Sequence, residues 1–217
     1  MNFEALKIDD DIPGVLPARQ KRSKRIRDAY ISAGIKLLNE RRLSDLKISD
    51  LAEECGGSVG SFYTRFEDKE AYFRALRAAA IALCNAEIYD RVNVDRLYEM
   101  EAGEALDEMV DLMADLFTGP VRGVLRESLL RILEPEDPWA PMRDSAREIM
   151  RSYRRACATQ FPAFTPDVAK ERLAFCFQLI VGVLQNDLVN DYHVYSTRDE
   201  SLRGGLKEAV RGYMKIS

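Results

Sequence analysis

The side chains able to do chemistry are few and unevenly placed along the 217 residues. The single histidine, His193, lies in Asp-Tyr-His-Val-Tyr, with no second histidine to complete a metal pair and no nucleophile motif beside it. It reads as a satisfied loop residue. Four cysteines, Cys55, Cys84, Cys157 and Cys176, lack the short paired spacing of a zinc cluster or a disulfide framework. They read as free, mostly buried thiols. No phosphate-cradling loop or dinucleotide fingerprint is present. Neither an enzyme, nor a bound metal, nor a cofactor is expected.

The chemistry that does stand out is ionic. Six cations, Arg19, Lys21, Arg22, Lys24, Arg25 and Arg27, fall within nine positions. Residues 17–77 hold 14 Lys/Arg against 9 Asp/Glu, whereas residues 78–217 hold 17 against 23, within a net charge of -4. Such a basic block suits a polyanion, with a solvated arm as the bland alternative. A chain 47% hydrophobic and 31% charged has the make-up of a folded globular protein. No uninterrupted apolar run approaches the roughly 20 residues of a membrane span. The N-terminus, with Glu4, Asp9, Asp10 and Asp11, lacks the regions of a secretory signal, so a cytoplasmic protein without membrane contact is expected.

The elements that position the cations are helical. Residues 1–18 contain Ile-Pro-Gly and Leu-Pro, which oppose helix formation and read as a flexible leader. From there Ile26, Ala29, Tyr30, Ala33, Leu37 and Leu38 recur at helical intervals, predicting a helix over 23–41. A short helix over 48–55 ends at Gly56-Gly57. Ser58 then caps a third, in which Phe62 and Phe66 share one side. Asp68 caps a fourth. Strand-like alternation is almost absent beyond residue 90, and helices are predicted near 106–117, 120–133, 142–159 and 166–190. Thr165-Pro166-Asp167 supplies the start of the last of these, and Thr197 to Glu200 reads as a capping box for a final helix.

Three short helices with a glycine turn between the second and third meet the physical requirements of a helix-turn-helix, whose third helix enters the DNA major groove. The run Asp50-Leu51-Ala52-Glu53, the turn glycine Gly56, Gly60-Ser61-Phe62-Tyr63, Phe66 and Lys69-Glu70 closely resembles the signature of the tetracycline-repressor (TetR) family of transcription regulators. The resemblance covers residues 24–84. It implies an all-α protein: a helix-turn-helix DNA-binding domain over 19–68, then a larger helical domain over 69–217 for dimerisation and ligand binding.

Several roles can be stated physically. Gly56 suits the left-handed conformation at a tight helix end. Ser58 opens the third helix with backbone N–H groups on which a phosphate can dock, and Gly60 removes bulk from that turn. By resemblance, Tyr63 and Lys69 contact phosphates, while Val59, Ser61 and Thr64 face base edges. The methyls of Val59 and Thr64 suit thymine methyl groups. Arg65 either joins them or pairs with Glu67. Lys24 and Lys47 complete the expected DNA-binding set. The chain departs from the family's usual pattern at Leu46, where Thr or Ser commonly caps the second helix, at Gly57, usually aliphatic, and at Val59, usually polar or cationic.

For the C-terminal half, the stripe Leu173, Phe177, Ile180, Val181 and Leu184 falls where the family builds its dimer interface, with intramolecular core as the plain alternative. A homodimer on a palindromic double-stranded DNA operator follows, released by an unidentified small-molecule effector. Trp139, Met109, Met113, Phe117, Tyr153 and Phe175 are of types that line apolar pockets, but such spacing is more often core, so the ligand-binding residues are left unassigned. Two other functions are the alternatives: an enzyme, for which His193 offers little, and a helical interaction protein of this fold without specific DNA binding.

Overall fold

The computed structural model describes residues 12–18, 20–190, 195 and 200–216. Among the described residues the chain is all-α, and its β-type pairing is one isolated antiparallel bridge, Val15 to Phe66. His193 and the proposed capping residues 197–199 lie outside the described residues.

Two compact units are present. The first takes the described residues up to Cys84 together with Pro120–Pro138. It contains α1 (Lys21–Leu38), α2 (Ile48–Glu54), α3 (Val59–Tyr63), most of α4 (Lys69–Arg91) and α7 (Arg122–Leu130). It is therefore larger than the 19–68 read from the sequence, and the reason is the way α7 closes the end of α1. A Cβ on Gly123 would stand 2.1 Å from the Leu38 carbonyl oxygen, so only glycine permits that backbone approach. The Gly123 amide donates to Asn39 Oδ1 (2.8 Å), and Arg126 donates to the Leu38 and Arg41 carbonyls (2.8 Å each). The Leu38 carbonyl is one of those a helix leaves unsatisfied at its C-terminus. Glu127, 3% exposed, takes a 2.6 Å bond from Arg42.

Residues 12–18, read with the leader, are held rather than loose. Val15 is 5% and Ala18 2% exposed, and the segment bonds to the corner between α3 and α4.

The second unit takes Asn85–Gly119 and the described residues from Trp139 onward. It holds the end of α4, α5 (Val94–Glu99), α6 (Ala102–Thr118), α8 (Ala140–Cys157) with a 3₁₀ turn over Ala158–Gln160, α9 (Pro166–Asn190) and α10 (Glu200–Tyr213). Its core is built from Leu106, Met109, Val110, Met113, Tyr153, Leu173, Ile180 and Val210. Three aspartates one helical turn apart on α6 meet three cations on α10. Asp107 accepts from Arg211 (2.8 Å), Asp111 from Lys207 (2.7 Å) and Asp115 from Arg203 (2.8 Å), and Arg91 adds a 2.7 Å bond to Asp115.

By length and mean hydropathy (1.4) α9 would pass for a membrane span, although it contains no uninterrupted apolar run of that length. One third of its most apolar stretch is buried in the unit.

Candidate nucleic-acid interface

The interface begins with an aromatic core that fixes the short helix α3. Phe62 and Phe66 are fully buried, with Tyr30 from α1 and Tyr72 from α4 around them. Phe62 meets the Tyr30 ring edge-on at 5.7 Å and the Tyr72 ring at 5.2 Å. Such pairs add roughly 0.5–1.5 kcal/mol beyond the area they bury. Tyr72 donates to the Tyr30 carbonyl at 2.6 Å, and burial pushes its phenol well above the ordinary range, so it stays neutral. Gly34 leaves the room this needs, since a Cβ there would be 2.0 Å from the Tyr72 hydroxyl.

The turn is set by two glycines for different reasons. Gly56 has φ +62° with nothing near its missing Cβ, so its demand is conformational. Gly57 is a matter of space: a Cβ would lie 3.0 Å from the Tyr30 hydroxyl. That hydroxyl crosses to α3, donating to the Ser58 carbonyl (3.2 Å) and lying 3.3 Å from Ser61 Oγ. Ser58 caps α3 as expected, its Oγ accepting from the Ser61 amide at 3.2 Å. α2 has no side-chain cap; its start at Lys47 is held instead by the Arg41–Asp50 pair at 2.9 Å beside buried Leu46.

What α3 exposes is narrower than the sequence implied. Val59 (44%) and Tyr63 (51%) stand out from the surface, and Ser58, Gly60 and Thr64 are exposed with them. Ser61 is half-buried, its hydroxyl turned to Tyr30. Arg65 is 8% exposed and folds back along the helix, donating to the Ser61 carbonyl (2.5 Å) and to Thr64 Oγ1 (2.7 Å). Thr64 Oγ1 also donates to the Ser61 carbonyl at 2.9 Å, which leaves its methyl as the freer contact. Arg65 thus braces α3 from within and does not stand on the exposed face.

Around α3, Lys69 donates to the Ser44 carbonyl at 3.1 Å, and Lys24 and Lys47 are exposed. Of the basic cluster, Lys21, Arg22 and Arg25 are exposed too. Arg27 is buried to 4% with Asp28 3.6 Å away, and Arg19 lies outside the described residues.

The expected dimer residues split in two. Leu173, Ile180 and Leu184 are at most 1% exposed within the single chain, so they are intramolecular core and have no surface to offer a partner. Phe177 keeps 8%, and Val181 is half-buried. The exposed apolar side chains of α9 are Val168 (42%) and Phe175 (49%), neither of which the stripe included. Phe175 packs on Tyr213 at 5.1 Å, which removes it from the set of pocket-type residues. The remaining five are buried, and the Tyr153 hydroxyl has no hydrogen-bond partner among the described residues.

Residues 31–76 match the family model of bacterial regulatory proteins, tetR family. No curated protein matches the chain in sequence. Among solved structures, the chain is similar to a protein from Mesorhizobium loti described as a TetR-family transcriptional regulator, at 15% identity and TM-score 0.63 over 90% of this chain and 98% of that one. It is also similar to one so described from Rhodococcus sp. (18%, 0.59, covering 88% and 99%) and one from Vibrio parahaemolyticus (19%, 0.56, covering 86% and 97%). These likenesses carry the fold across nearly the whole chain, and the family match runs from the middle of α1 through α2 and α3 into the first turns of α4. Residues 31–76 therefore carry the N-terminal domain of the tetR family of bacterial regulatory proteins, within a chain of TetR-like fold.

Proposed function

We propose that the chain is a homodimeric, ligand-responsive repressor of transcription that acts in the cytoplasm on a palindromic operator. The observation that carries the DNA reading is the exposed face of α3, where Val59, Gly60, Tyr63 and the Thr64 methyl stand together over a buried aromatic core. A face with two aliphatic groups and few free donors suits thymine methyls, with Tyr63 and Lys69 on the flanking phosphates. Lys21, Arg22, Lys24 and Arg25 add salt-dependent affinity by neutralising backbone charge.

Dimerisation is supported by α9, whose apolar surface is only partly used within the subunit. Val168, Phe175 and Val181 keep exposure, and a Cβ on Gly182 would meet nothing within 4 Å. Two-fold symmetry would set two recognition helices about one DNA turn apart. An effector is supported by the Tyr153 hydroxyl, which is buried in the same unit as Met109, Met113, Phe117 and Trp139 and has no hydrogen-bond partner among the described residues. An unpaired buried hydroxyl costs roughly 1–3 kcal/mol, which a ligand bearing one acceptor would recover. Release from the operator then requires tighter effector binding to a conformation with misplaced recognition helices.

Footprinting on the DNA flanking its own gene tests this reading. A protected near-palindrome is expected; weak association abolished by salt at every position would instead mark an interaction protein of this fold.

A further inference from the structure

We propose that residues 13–16 are a positioning strap for the recognition helix: by gripping the corner where α3 turns into α4, they set the angle of the DNA-reading face and so the preference for a specific operator. The inference rests on the DNA-binding reading above.

The grip is made by backbone. In the corner after α3, the Leu16 amide donates to the Arg65 carbonyl at 2.8 Å, and the Glu67 amide donates to the Gly14 carbonyl at 2.9 Å. The two bonds flank the Val15 to Phe66 bridge. Leu16 precedes Pro17, which favours extended backbone there. Gly14 is needed twice over. Its φ is +77°, and a Cβ would lie 2.7 Å from the Ala71 Cβ, so the strap crosses the first turn of α4 in direct contact. Arg74 holds the far end, donating from Nε to the Pro13 carbonyl at 3.0 Å.

A five-residue helix has no stability of its own, since isolated helices below roughly 12–15 residues are marginal. Its orientation is inherited from what holds its two ends. Tyr30 and the Ser58 cap hold the start; the strap holds the exit. Because the strap pairs with corner backbone and not with Val59, Tyr63 or Thr64, it alters their setting without altering their chemistry. Loosening it spends binding energy on ordering the helix. Specific binding requires that order, whereas non-specific binding depends mainly on charge.

The test uses full-length protein carrying Gly14→Ala or Val15→Asp, with Val15→Ile as the conservative control. Amide exchange is followed at Leu16 and Glu67 in the free protein. Affinity is measured for the footprinted operator and for an unrelated duplex of equal length. Both disrupting variants are expected to speed exchange at Glu67 by about tenfold. Operator affinity should fall by about fivefold, with the unrelated duplex held within about twofold. Val15→Ile should match wild type throughout. Unchanged exchange at Glu67, unchanged operator affinity despite faster exchange, or an equal loss on both duplexes would each overturn the strap. If wild-type protein itself prefers no duplex, the DNA-binding reading fails with it, and that outcome is recognised by slow Glu67 exchange in a chain that reads nothing.

Discussion

The phenol of Tyr30 occupies the space that a side chain at Gly57 would take, 3.0 Å from the missing Cβ, and reaches through it to the first turn of the recognition helix. The departure from an aliphatic residue at 57 is therefore half of a pair. Gly57→Val should overpack the site and cost about 1–3 kcal/mol, and Tyr30→Phe about 1 kcal/mol for the lost hydrogen bonds. The double variant should be less destabilised than the sum, with a coupling of about 0.5–3 kcal/mol in urea denaturation. Strict additivity would separate the two residues.

Two other glycines should behave in opposite ways. Gly34→Ala places a methyl on the Tyr72 hydroxyl and should lower stability by about 1–3 kcal/mol. At Gly60 the nearest atom to a new Cβ is Ser58 Oγ at 3.9 Å, and the position is helical. Gly60→Ala should leave the fold intact or add up to about 1 kcal/mol, yet weaken operator binding. Thermal melts beside gel shifts read both; wild-type DNA affinity in Gly60→Ala would move the contact away from that turn.

The α6–α10 ladder predicts a pH response. Burial raises the Asp115 carboxyl, but hydrogen bonds from Arg203 and Arg91 more than reverse this, holding it below its ordinary 3.8. Because the unfolded chain binds that proton more readily, the contribution is full above about pH 4 and is lost as pH falls through the folded value. Partly exposed pairs are worth at most about 1 kcal/mol each, so the effect is modest. Acid denaturation of Asp115→Asn should show a shallower stability loss below pH 4 than wild type. Equal slopes would assign the acid limb elsewhere.

Tyr153 offers a test of the effector side. Tyr153→Phe removes an unpaired buried hydroxyl and should leave the ligand-free protein as stable or more so, by about 1 kcal/mol. Scanning calorimetry of protein stripped of ligand checks this. A marked fall in melting temperature would mean the hydroxyl has a partner in solution.

How much of this was legible in the sequence depended on range. Local chemistry was readable: Ser58 caps α3, Asp68 accepts from the Ala71 amide at 2.6 Å to start α4, and α9 begins at Pro166. α5 was missed because it buries only Leu97 and so has no periodicity, although Asn93 caps it with two bonds. Non-local pairing was hidden. Pro13, Gly14 and Pro17 announce a break in helix, but not that the broken segment bridges to Phe66. The Leu173 to Leu184 stripe declared an apolar face without saying whose core it fills. Arg65 and Ser61 were assigned by position on the helix, and their inward bonds to the Ser61 carbonyl and Tyr30 depend on rotamers that spacing does not determine.

The role on which the proposed function turns is DNA reading by the exposed face of α3. Its most direct test is a salt series of operator affinity for wild type, Lys69→Ala and Thr64→Ala, on the native operator and single-base variants. Lys69→Ala should weaken binding to every sequence alike and reduce the salt slope by about 1. Thr64→Ala should change the preference among variants with little change in slope. If both bind the native operator like wild type at every salt concentration, the contact surface is not where α3 places it.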